Sequence, residues 1–318
     1  MSRVAHLPTV SIIGAGQVGS TTAHLLIQAG LANLVLIDVV DGLAAGKALD
    51  LLQAAAIEER AVRVVGTTDY AALAGSRLVV VTAGLARKPG MSRDDLLAAN
   101  ANIVGPIAQQ IARYAPDALV IVVTNPLDVM TALVLQQTKF PRSRVMGMAG
   151  VLDSGRLRAF IAQRVGADPA TVQAMVLGSH GDLMVSLAST ITVDGKPLST
   201  LISPAELQQL VARTRDGGAE IVSLLKTSSA YYAPAAAIVQ MIRVILTDEG
   251  RVLPVSASLN GEYGLTDVCI GVPAELGASG IRRIVELPLT QDERDALHRA
   301  AAQIRDQVQH LRPAPAAA

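Results

Sequence analysis

One stretch near the amino end, residues 9–38, constrains the fold of this chain more than any other. It begins with a short apolar run, Thr9–Ile13, passes through a glycine turn at residues 14–19, and continues as an apolar-faced segment that stops at Gly30. A second short apolar run, from Leu34 to Asp38, closes it. Short apolar runs bounded by glycine are typical of buried strands, and the segment between them has helical spacing. The stretch therefore predicts a βαβ unit with a right-handed crossover.

The glycine turn has the composition of a phosphate-binding loop. In this context the first glycine permits a tight turn, the second lets backbone approach a pyrophosphate, and the third lets the helix lie close to the strand. The helix N-terminus adds free N–H groups and the positive end of a dipole. Asp38 lies 19 residues after Gly19, at a strand end where its carboxylate can accept hydrogen bonds from ribose hydroxyls. Glycine triplets also occur in ordinary turns, but the triplet in this setting predicts a dinucleotide site. Its predicted contacts are Gly14, Gly16, Gln17, Val18, Gly19 and Asp38.

The composition excludes several classes of protein. The 318 residues suffice for one large or two medium domains, and their formal net charge is zero. No run of Lys and Arg resembles a nucleic-acid footprint, no apolar run is long enough for a membrane span, and no His, Cys or carboxylate cluster has metal-ligand spacing. The single cysteine, Cys269, lies in an apolar run and is expected to be buried. The lack of basic runs, apolar spans and ligand clusters predicts no nucleic-acid, membrane or metal partner. One cysteine and no signal peptide predict a cytoplasmic protein.

Up to about residue 150, apolar strand patterns alternate with helical patterns. Four further strands are predicted at residues 61–65, 78–81, 118–124 and 144–148, and a long helix at 94–114. Alternation of this kind predicts an α/β fold with a Rossmann-type, doubly wound parallel sheet. This sheet would form a dinucleotide-binding domain over residues 1–150, with its ligand beyond the carboxyl ends of the strands.

Beyond residue 150 the pattern changes to short strands between long helices. Helices are predicted at residues 152–165, 204–225, 235–246 and 291–311, and strands at 172–177, 184–193, 252–259 and 268–272. Asp194-Gly195 and Asn260-Gly261 are typical of hairpin turns. The pattern predicts a mixed α+β second domain over residues 151–318, which the resemblance described below implies to be the substrate/catalytic domain.

Polar side chains gather where this fold places its ligand. Asn125 follows the fifth strand, and Asp153 and Arg156 are three residues apart on one face of a helix. His180 follows a strand of the second domain and is flanked by glycines, which would expose its imidazole. Taken singly, each has an ordinary explanation, such as a helix cap for Asp153 or a solvated helix residue for Arg156. The same holds for the loop arginines Arg87 and Arg93 that follow the fourth strand.

As a set, these residues resemble the lactate/malate dehydrogenase family along nearly the whole chain. The motifs that carry the resemblance are the glycine turn at 14–19, Asp38, Gly84–Arg93, Thr124-Asn125-Pro126, Leu152–Arg156 and Gly178–Asp182. The loop from Arg87 to Arg93 resembles the malate branch of that family. There are two small departures, since Ser179 stands where the family often has Gly and Leu183 where it often has Thr.

The resemblance implies an NAD-dependent oxidation of malate to oxaloacetate, a step of the tricarboxylic acid cycle. His180 would exchange the hydroxyl proton, with Asp153 orienting its imidazole. Arg156 would grip the carboxylate beside the reacting carbon, and Arg93 would polarise the carbonyl oxygen. Arg87 would pair with the second carboxylate, which lactate lacks.

Further contacts are implied around the nicotinamide and the substrate. Asn125 would bind the substrate, and Asn100, Val123, Thr124 and Asn125 would lie near the nicotinamide. Ser228, Ser229 and Ala230 would line the pocket without an assigned role. The resemblance also implies a homodimer or homotetramer.

Two other functions are compatible with the fold. The nearer one is a lactate or other 2-hydroxyacid dehydrogenase, which Arg87 disfavours because a buried guanidinium facing a methyl group is costly. The other is a non-catalytic nucleotide-binding protein, which the set of His180, Asp153, Arg156 and Arg93 disfavours.

Overall fold

The structure, a computed structural model, describes residues 7–86 and 91–311. Its strands are β1 (Thr9–Ile13), β2 (Asn33–Ile37), β3 (Val64–Thr67), β4 (Leu78–Val81), β5 (Leu119–Val122), β6 (Val145–Gly147), β7 (Val172–Gln173), β8 (Val176–Gly178), β9 (Met184–Ser186), β10 (Thr192–Val193), β11 (Lys196–Pro197), β12 (Arg251–Asn260), β13 (Thr266–Gly277) and β14 (Gly280–Ile284). Its α-helices are α1 (Gln17–Ala29), α2 (Leu43–Ile57), α3 (Arg93–Tyr114), α4 (Leu127–Thr138), α5 (Gly150–Val165), α6 (Pro204–Leu225), α7 (Tyr232–Leu246) and α8 (Gln291–Gln309).

The first six strands form a parallel sheet in the order β3-β2-β1-β4-β5-β6. The order reverses between β1 and β4, which is the switch point of a doubly wound sheet. β4 and β5 are buried at every position, as expected for strands covered by helices on both faces. The predicted Rossmann-type parallel sheet is confirmed.

Local signals in the sequence set the helix ends. Helix α1 stops at Gly30, whose φ of 62° lies in the left-handed region and closes the helix with backbone hydrogen bonds. Helices α3 and α6 begin with capping boxes, made by Ser92 with Asp95 and by Ser203 with Glu206. A capping box satisfies free N–H groups at both its residues, so these helices begin at defined positions.

The sheet does not end at β6. A single antiparallel pairing, Ser256 of β12 with Gly147 of β6, extends it through β13, β8 and β9, with β14 beside β13. Strands β7, β10 and β11 form a separate small sheet over a second apolar cluster that includes Leu157 and Ile161 of α5. The predicted mixed second region is therefore joined to the first by a continuous sheet.

Several predicted strands of the second half are wrong in their extent. The run 172–177 is split because β7 pairs with β10 in the small sheet whereas β8 pairs with β9 and β13. The run 184–193 is broken by a 3₁₀ turn at Ala188–Thr190. β13 continues to Gly277 because Pro273 lies opposite Pro254 of β12, so neither proline interrupts the pairing. β14, which carries two arginines, was not predicted at all.

The remaining differences are small. β3 begins at Val64 rather than residue 61. The hairpin predicted at Asp194-Gly195 is present between β10 and β11, with both turn residues at positive φ. In the part of the chain that the structure describes, no helix is long and apolar enough to cross a membrane.

Candidate active site

The aligned registers of the parallel strands create one polar edge. Ile13, Val81 and Val122 are register partners across β1, β4 and β5, and Gly147 of β6 pairs with Val122. The residues that follow each strand therefore lie side by side. A cavity of about 570 Å³ opens there, and it is lined from both halves of the chain by residues that include Thr82, Val123, Thr124, Asn125, Met148, Asp153, Arg156 and His180.

The carboxylate of Asp153 contacts an imidazole and a guanidinium on the cavity wall. The Nδ1 atom of His180 lies 2.8 Å from Oδ2 of Asp153, and Nη1 of Arg156 lies 3.4 Å from Oδ1 of the same residue. Asp153 and Arg156 share the first two turns of α5, while His180 comes from the segment after β8. The three side chains are 5%, 14% and 16% exposed in the order Asp153, Arg156, His180. His180 is 27 residues from Asp153 in sequence, and the fold brings it to the pair on α5.

This contact determines the protonation behaviour of His180. Burial alone lowers the pKa of the imidazole, but the Asp153 carboxylate raises it through its charge and its hydrogen bond, and the net result lies above the ordinary value. Asp128 adds to the rise, whereas Arg156 opposes it. Because an ionised Asp153 accepts from Nδ1–H, the Nε2 atom is left as the group that can exchange a proton. Nε2 has no hydrogen-bond partner among the described residues.

Arg156 is only partly satisfied by the protein. Its Nε atom is buried and has no hydrogen-bond partner in the described part of the chain. Its side chain runs beside α6, where a Cβ on Gly217 would lie 3.4 Å from Cδ of Arg156. A buried guanidinium with unused donors on a cavity wall is suited to a planar anion such as a carboxylate.

Of the two loop arginines, the structure describes Arg93. Arg93 is the first residue of α3, and its guanidinium is paired with the carboxylate of Asp182, two residues beyond His180. Its side chain is 59% exposed, and Arg93 is not among the residues that line the cavity. Arg87 lies outside the described residues.

Asn100 sits behind the cavity wall. It is fully buried on α3, where its side chain bonds both the N–H and the carbonyl of Leu85 and donates to the carbonyl of Asn125 at 2.6 Å. Asn125 itself lines the cavity and precedes Pro126 through a cis peptide bond. Asn100 therefore joins the loops after β4 and β5, and any effect on a ligand passes through Asn125 and Leu85.

The glycine turn has the form that a pyrophosphate requires. Gly14 has a φ of 106°, and a Cβ on Gly19 would lie 2.0 Å from the carbonyl oxygen of Gly14. A Cβ on Gly16 would meet nothing within 4 Å, so the backbone there borders open space. Asp38 accepts the N–H of Ala15 at 2.7 Å, which holds its carboxylate against the turn. Gln17 and Val18 open α1 beside it, and Val18 also lines the cavity. These residues fit a dinucleotide.

Part of the cavity wall was not predicted. Helix α6 contributes Arg215, Gly218, Ala219 and Val222. Of the three residues after it that were expected in the pocket, Ser229 and Ala230 line the cavity and Ser228 does not. Arg215 is exposed and has no ion pair among the described residues, so it adds positive charge to the rim. Nothing in the local sequence of α6 signals this, because the helix reaches the cavity only through its packing on α5.

Two other observations concern metal ligands and the cysteine. Within residues 7–86 and 91–311, no group of three His, Cys, Asp or Glu side chains could hold a metal ion. Cys269 is buried, as predicted, and burial raises the pKa of its thiol to about 12, with a smaller effect of Asp128. A thiol with so high a pKa is not a nucleophile near neutral pH.

Comparison with known proteins gives consistent matches over most of the chain. Residues 9–147 match the family model for the lactate/malate dehydrogenase NAD binding domain, and residues 150–312 match that for the lactate/malate dehydrogenase alpha/beta C-terminal domain. A malate dehydrogenase of Nostoc punctiforme is 53% identical over 304 residues, which cover 96% of this chain and 93% of that protein.

Solved structures agree with these matches. A malate dehydrogenase from Cryptosporidium parvum superposes with a TM-score of 0.93 at 40% identity, covering 96% of this chain and 98% of that one. A lactate dehydrogenase from the same organism, in complex with lactic acid and NAD, superposes with a TM-score of 0.94 at 38% identity and covers 98% and 99% of the two chains.

Proposed function

The chain belongs to the lactate/malate dehydrogenase family, and on that premise we propose that it is an NAD-dependent malate dehydrogenase. It would interconvert (S)-malate and NAD+ with oxaloacetate and NADH. The observation that carries the proposal is the pair of contacts made by Asp153, one oxygen to His180 and the other to Arg156, on the wall of the cavity. The malate dehydrogenase of Nostoc punctiforme supports the choice of substrate.

His180 would exchange the hydroxyl proton of the substrate. The glycine turn and Asp38 would hold NAD, which would supply the hydride acceptor for carbon 2 of malate. Nε2 of His180 would take the hydroxyl proton, and Asp153 would stabilise the resulting imidazolium through Nδ1–H. The raised pKa of His180 favours this charged form, which is also the form that protonates oxaloacetate in the reverse direction.

The substrate is oriented by Arg156. Its free donors would bind the carboxylate next to the reacting carbon through a bidentate fork. Because Oδ1 of Asp153 lies against Nη1, the guanidinium is held in one orientation before the substrate arrives. Preorganisation of this kind lowers the entropy cost of reaching the reactive geometry. Asn125, on the same wall, would donate to the substrate.

Two further arginines complete the proposed site. Arg93 would polarise the carbonyl oxygen as negative charge develops there, which requires its guanidinium to exchange Asp182 for the substrate. Arg87 would meet the second carboxylate of malate. That assignment rests on the sequence of the loop alone, and it separates this proposal from a lactate dehydrogenase.

NAD rather than NADP is expected as the cofactor. A 2′-phosphate would lie beside Asp38, and like charges about 4 Å apart repel by roughly 4 kcal/mol at an effective dielectric constant near 20. The following residues, Val39 and Val40, are exposed and offer no compensating base. Steady-state rates with the two cofactors at equal concentrations test this, and equal or better efficiency with NADPH contradicts it.

Surface and cysteine features bear on the oligomeric state and compartment of the enzyme. Exposed leucines and isoleucine on α2 (Leu49, Leu52 and Ile57) support burial against another subunit, in a homodimer or homotetramer. A single buried cysteine supports a reducing compartment such as the cytoplasm. A malate dehydrogenase there would serve the tricarboxylic acid cycle.

The experiment that tests the proposal is the oxidation of NADH by the purified protein with oxaloacetate, followed by the loss of NADH absorbance. Rapid oxidation that depends on oxaloacetate is expected. Binding of NADH without oxidation would instead identify a non-catalytic nucleotide-binding protein. Oxidation with pyruvate but not with oxaloacetate would identify a lactate dehydrogenase.

A further inference from the structure

A second carboxylate, which the mechanism above does not use, is buried beneath the His180 segment. Asp128 lies in the first turn of α4 and is 3% exposed. Its Oδ2 atom accepts the backbone N–H of His180 at 3.1 Å, and its Oδ1 atom accepts the hydroxyl of Ser256 at 2.7 Å. Burial raises the pKa of the Asp128 carboxyl, and the side chain of Ser179 is among the groups that oppose this rise.

These contacts join three separate parts of the chain at one point. Asp128 comes three residues after Asn125, so the carboxylate lies in the first turn of α4, directly after the segment that lines the cavity. Ser179 and His180 belong to the segment after β8. Ser256 lies on β12, at the single position where that strand pairs with β6. The carboxylate therefore links the first half of the fold to the main chain of His180.

A carboxylate in such a place is costly for stability alone. Its neighbours along α4, Leu127, Val129 and Met130, are all buried apolar residues. Burying a charge is unfavourable unless several hydrogen bonds satisfy it, and an apolar residue of similar size often serves stability as well or better. The arrangement does provide something an apolar residue cannot, namely an acceptor that fixes the position of a particular backbone N–H.

We propose that Asp128 is a positioning residue of the active site. It fixes the backbone of His180 relative to Asn125, and Ser179 and Ser256 hold the carboxylate itself in place. The inference rests on the function proposed above. It also gives a role to Ser179, which stands where the family often has glycine, because glycine has no hydroxyl to donate.

The test compares two substitutions of Asp128 in the full-length protein. Asp128→Ala removes the hydrogen bonds that Asp128 itself accepts, including the one from the His180 N–H. The backbone of His180 can then shift, and a displacement of reacting groups by about 1 Å can cost roughly 100-fold in rate. We expect kcat for oxaloacetate reduction to fall by about that factor, while the Kd for NADH stays unchanged. Asp128→Asn keeps an oxygen for the His180 N–H and offers its amide to the Ser256 oxygen, so it restores most of the rate.

A matched control lies one turn further along the same helix. Thr131 is fully buried, and among the described residues its hydroxyl bonds only to the carbonyl of Leu127 within α4. Thr131→Ala should keep the wild-type kcat. The proposal is overturned if Thr131→Ala loses as much kcat as Asp128→Ala, if Asp128→Asn is as slow as Asp128→Ala, or if Asp128→Ala retains the wild-type kcat.

A second measurement does not depend on turnover. Hydrogen exchange at the His180 amide, followed by NMR, should be slow in wild type and in Asp128→Asn, and much faster in Asp128→Ala. If Asp128→Ala does not fold, Ser256→Ala replaces it and should also accelerate this exchange. Unchanged exchange overturns the anchoring role. Absence of oxaloacetate reduction in wild type, with exchange behaving as expected, overturns only the proposed function.

Discussion

At the scale of single residues, Asp153 organises the cavity because its two oxygens serve different partners. Oδ2 meets the imidazole of His180 and Oδ1 meets the guanidinium of Arg156, and all three side chains are largely buried. A buried carboxylate left without partners is strongly destabilising, so both contacts help to stabilise Asp153 at this position. One side chain thereby positions the residues proposed for proton transfer and for substrate binding.

The first prediction concerns the proton-transfer group. His180→Asn should lower kcat by roughly 10²- to 10⁴-fold, because a positioned acid or base contributes about that much. The amide can still accept or donate near Asp153, so the fold and the Kd for NADH should be retained. Steady-state kinetics and a fluorescence titration with NADH check both parts. A variant that keeps wild-type turnover would remove His180 from the mechanism.

The second prediction concerns pH. Asp153 raises the pKa of His180, which lies above the ordinary 6.5. Reduction of oxaloacetate uses the protonated imidazole, so kcat/KM should fall as pH rises through that pKa. Asp153→Asn removes the charge and lowers the pKa, although Asp128 still raises it and Arg156 still lowers it. The falling limb of the pH profile should therefore move to lower pH. A limb that stays in place would mean that another group titrates.

Local sequence predicts some of the residues at this cavity and not others. His180, Asp153 and Arg156 could be predicted because each belongs to a local motif at a strand end or helix start. Asp128 could not be distinguished from an acid that merely suits a helix N-terminus, since only its burial and its contact with His180 reveal it. Arg215 is an exposed helix residue by sequence, and only packing brings it to the cavity.

At the scale of elements, the contact between β1, the glycine turn and α1 is the part that the sequence predicts best. Every signal there is local: a short apolar run, glycines at fixed spacing and a glycine stop at Gly30. The strands of the second half are harder, because β7 and β8 are adjacent in sequence but belong to different sheets. Which sheet a two- or three-residue strand joins depends on distant partners, and no local pattern encodes that.

The third prediction distinguishes Gly16, which leaves space for the pyrophosphate, from Gly19, which lets α1 pack closely. Gly16 has a φ of −69° and open space around its Cβ position, so Gly16→Ala should leave the free energy of unfolding unchanged. The methyl group would occupy the space of the pyrophosphate. Losing one hydrogen bond to a charged group costs about 1.5–3 kcal/mol, so the Kd for NADH should rise about 10- to 100-fold.

Gly19→Ala should behave differently. Its Cβ would lie 2.0 Å from the carbonyl oxygen of Gly14, so α1 must move away from β1. Overpacking of this kind costs about 1–3 kcal/mol, which should appear as a loss of stability in denaturant unfolding of the protein without cofactor. Equal stability of the two variants would contradict the close approach of α1 to β1.

At the scale of the whole molecule, one sheet runs through both halves of the chain and carries the site. The pairing of Ser256 with Gly147 joins β12 to β6, and the cavity opens where the parallel strands end. The sequence predicted two regions with a boundary near residue 150, but it did not predict that a single sheet crosses it. Antiparallel pairing between residues more than 100 positions apart leaves no local signal, so that continuity emerges only from the structure.

The most direct test of the account is the substrate preference of wild type and Arg87→Gln, measured as kcat/KM for oxaloacetate and for pyruvate with NADH. Arg93 and Arg156 would bind groups that both substrates share, so only Arg87 is assigned to the second carboxylate. Truncating one partner of a buried charge pair costs roughly 2–5 kcal/mol, or about 30- to several thousand-fold in efficiency. We predict that wild type strongly prefers oxaloacetate and that Arg87→Gln loses most of this preference. A wild type that prefers pyruvate, or a ratio that Arg87→Gln leaves unchanged, would contradict the account.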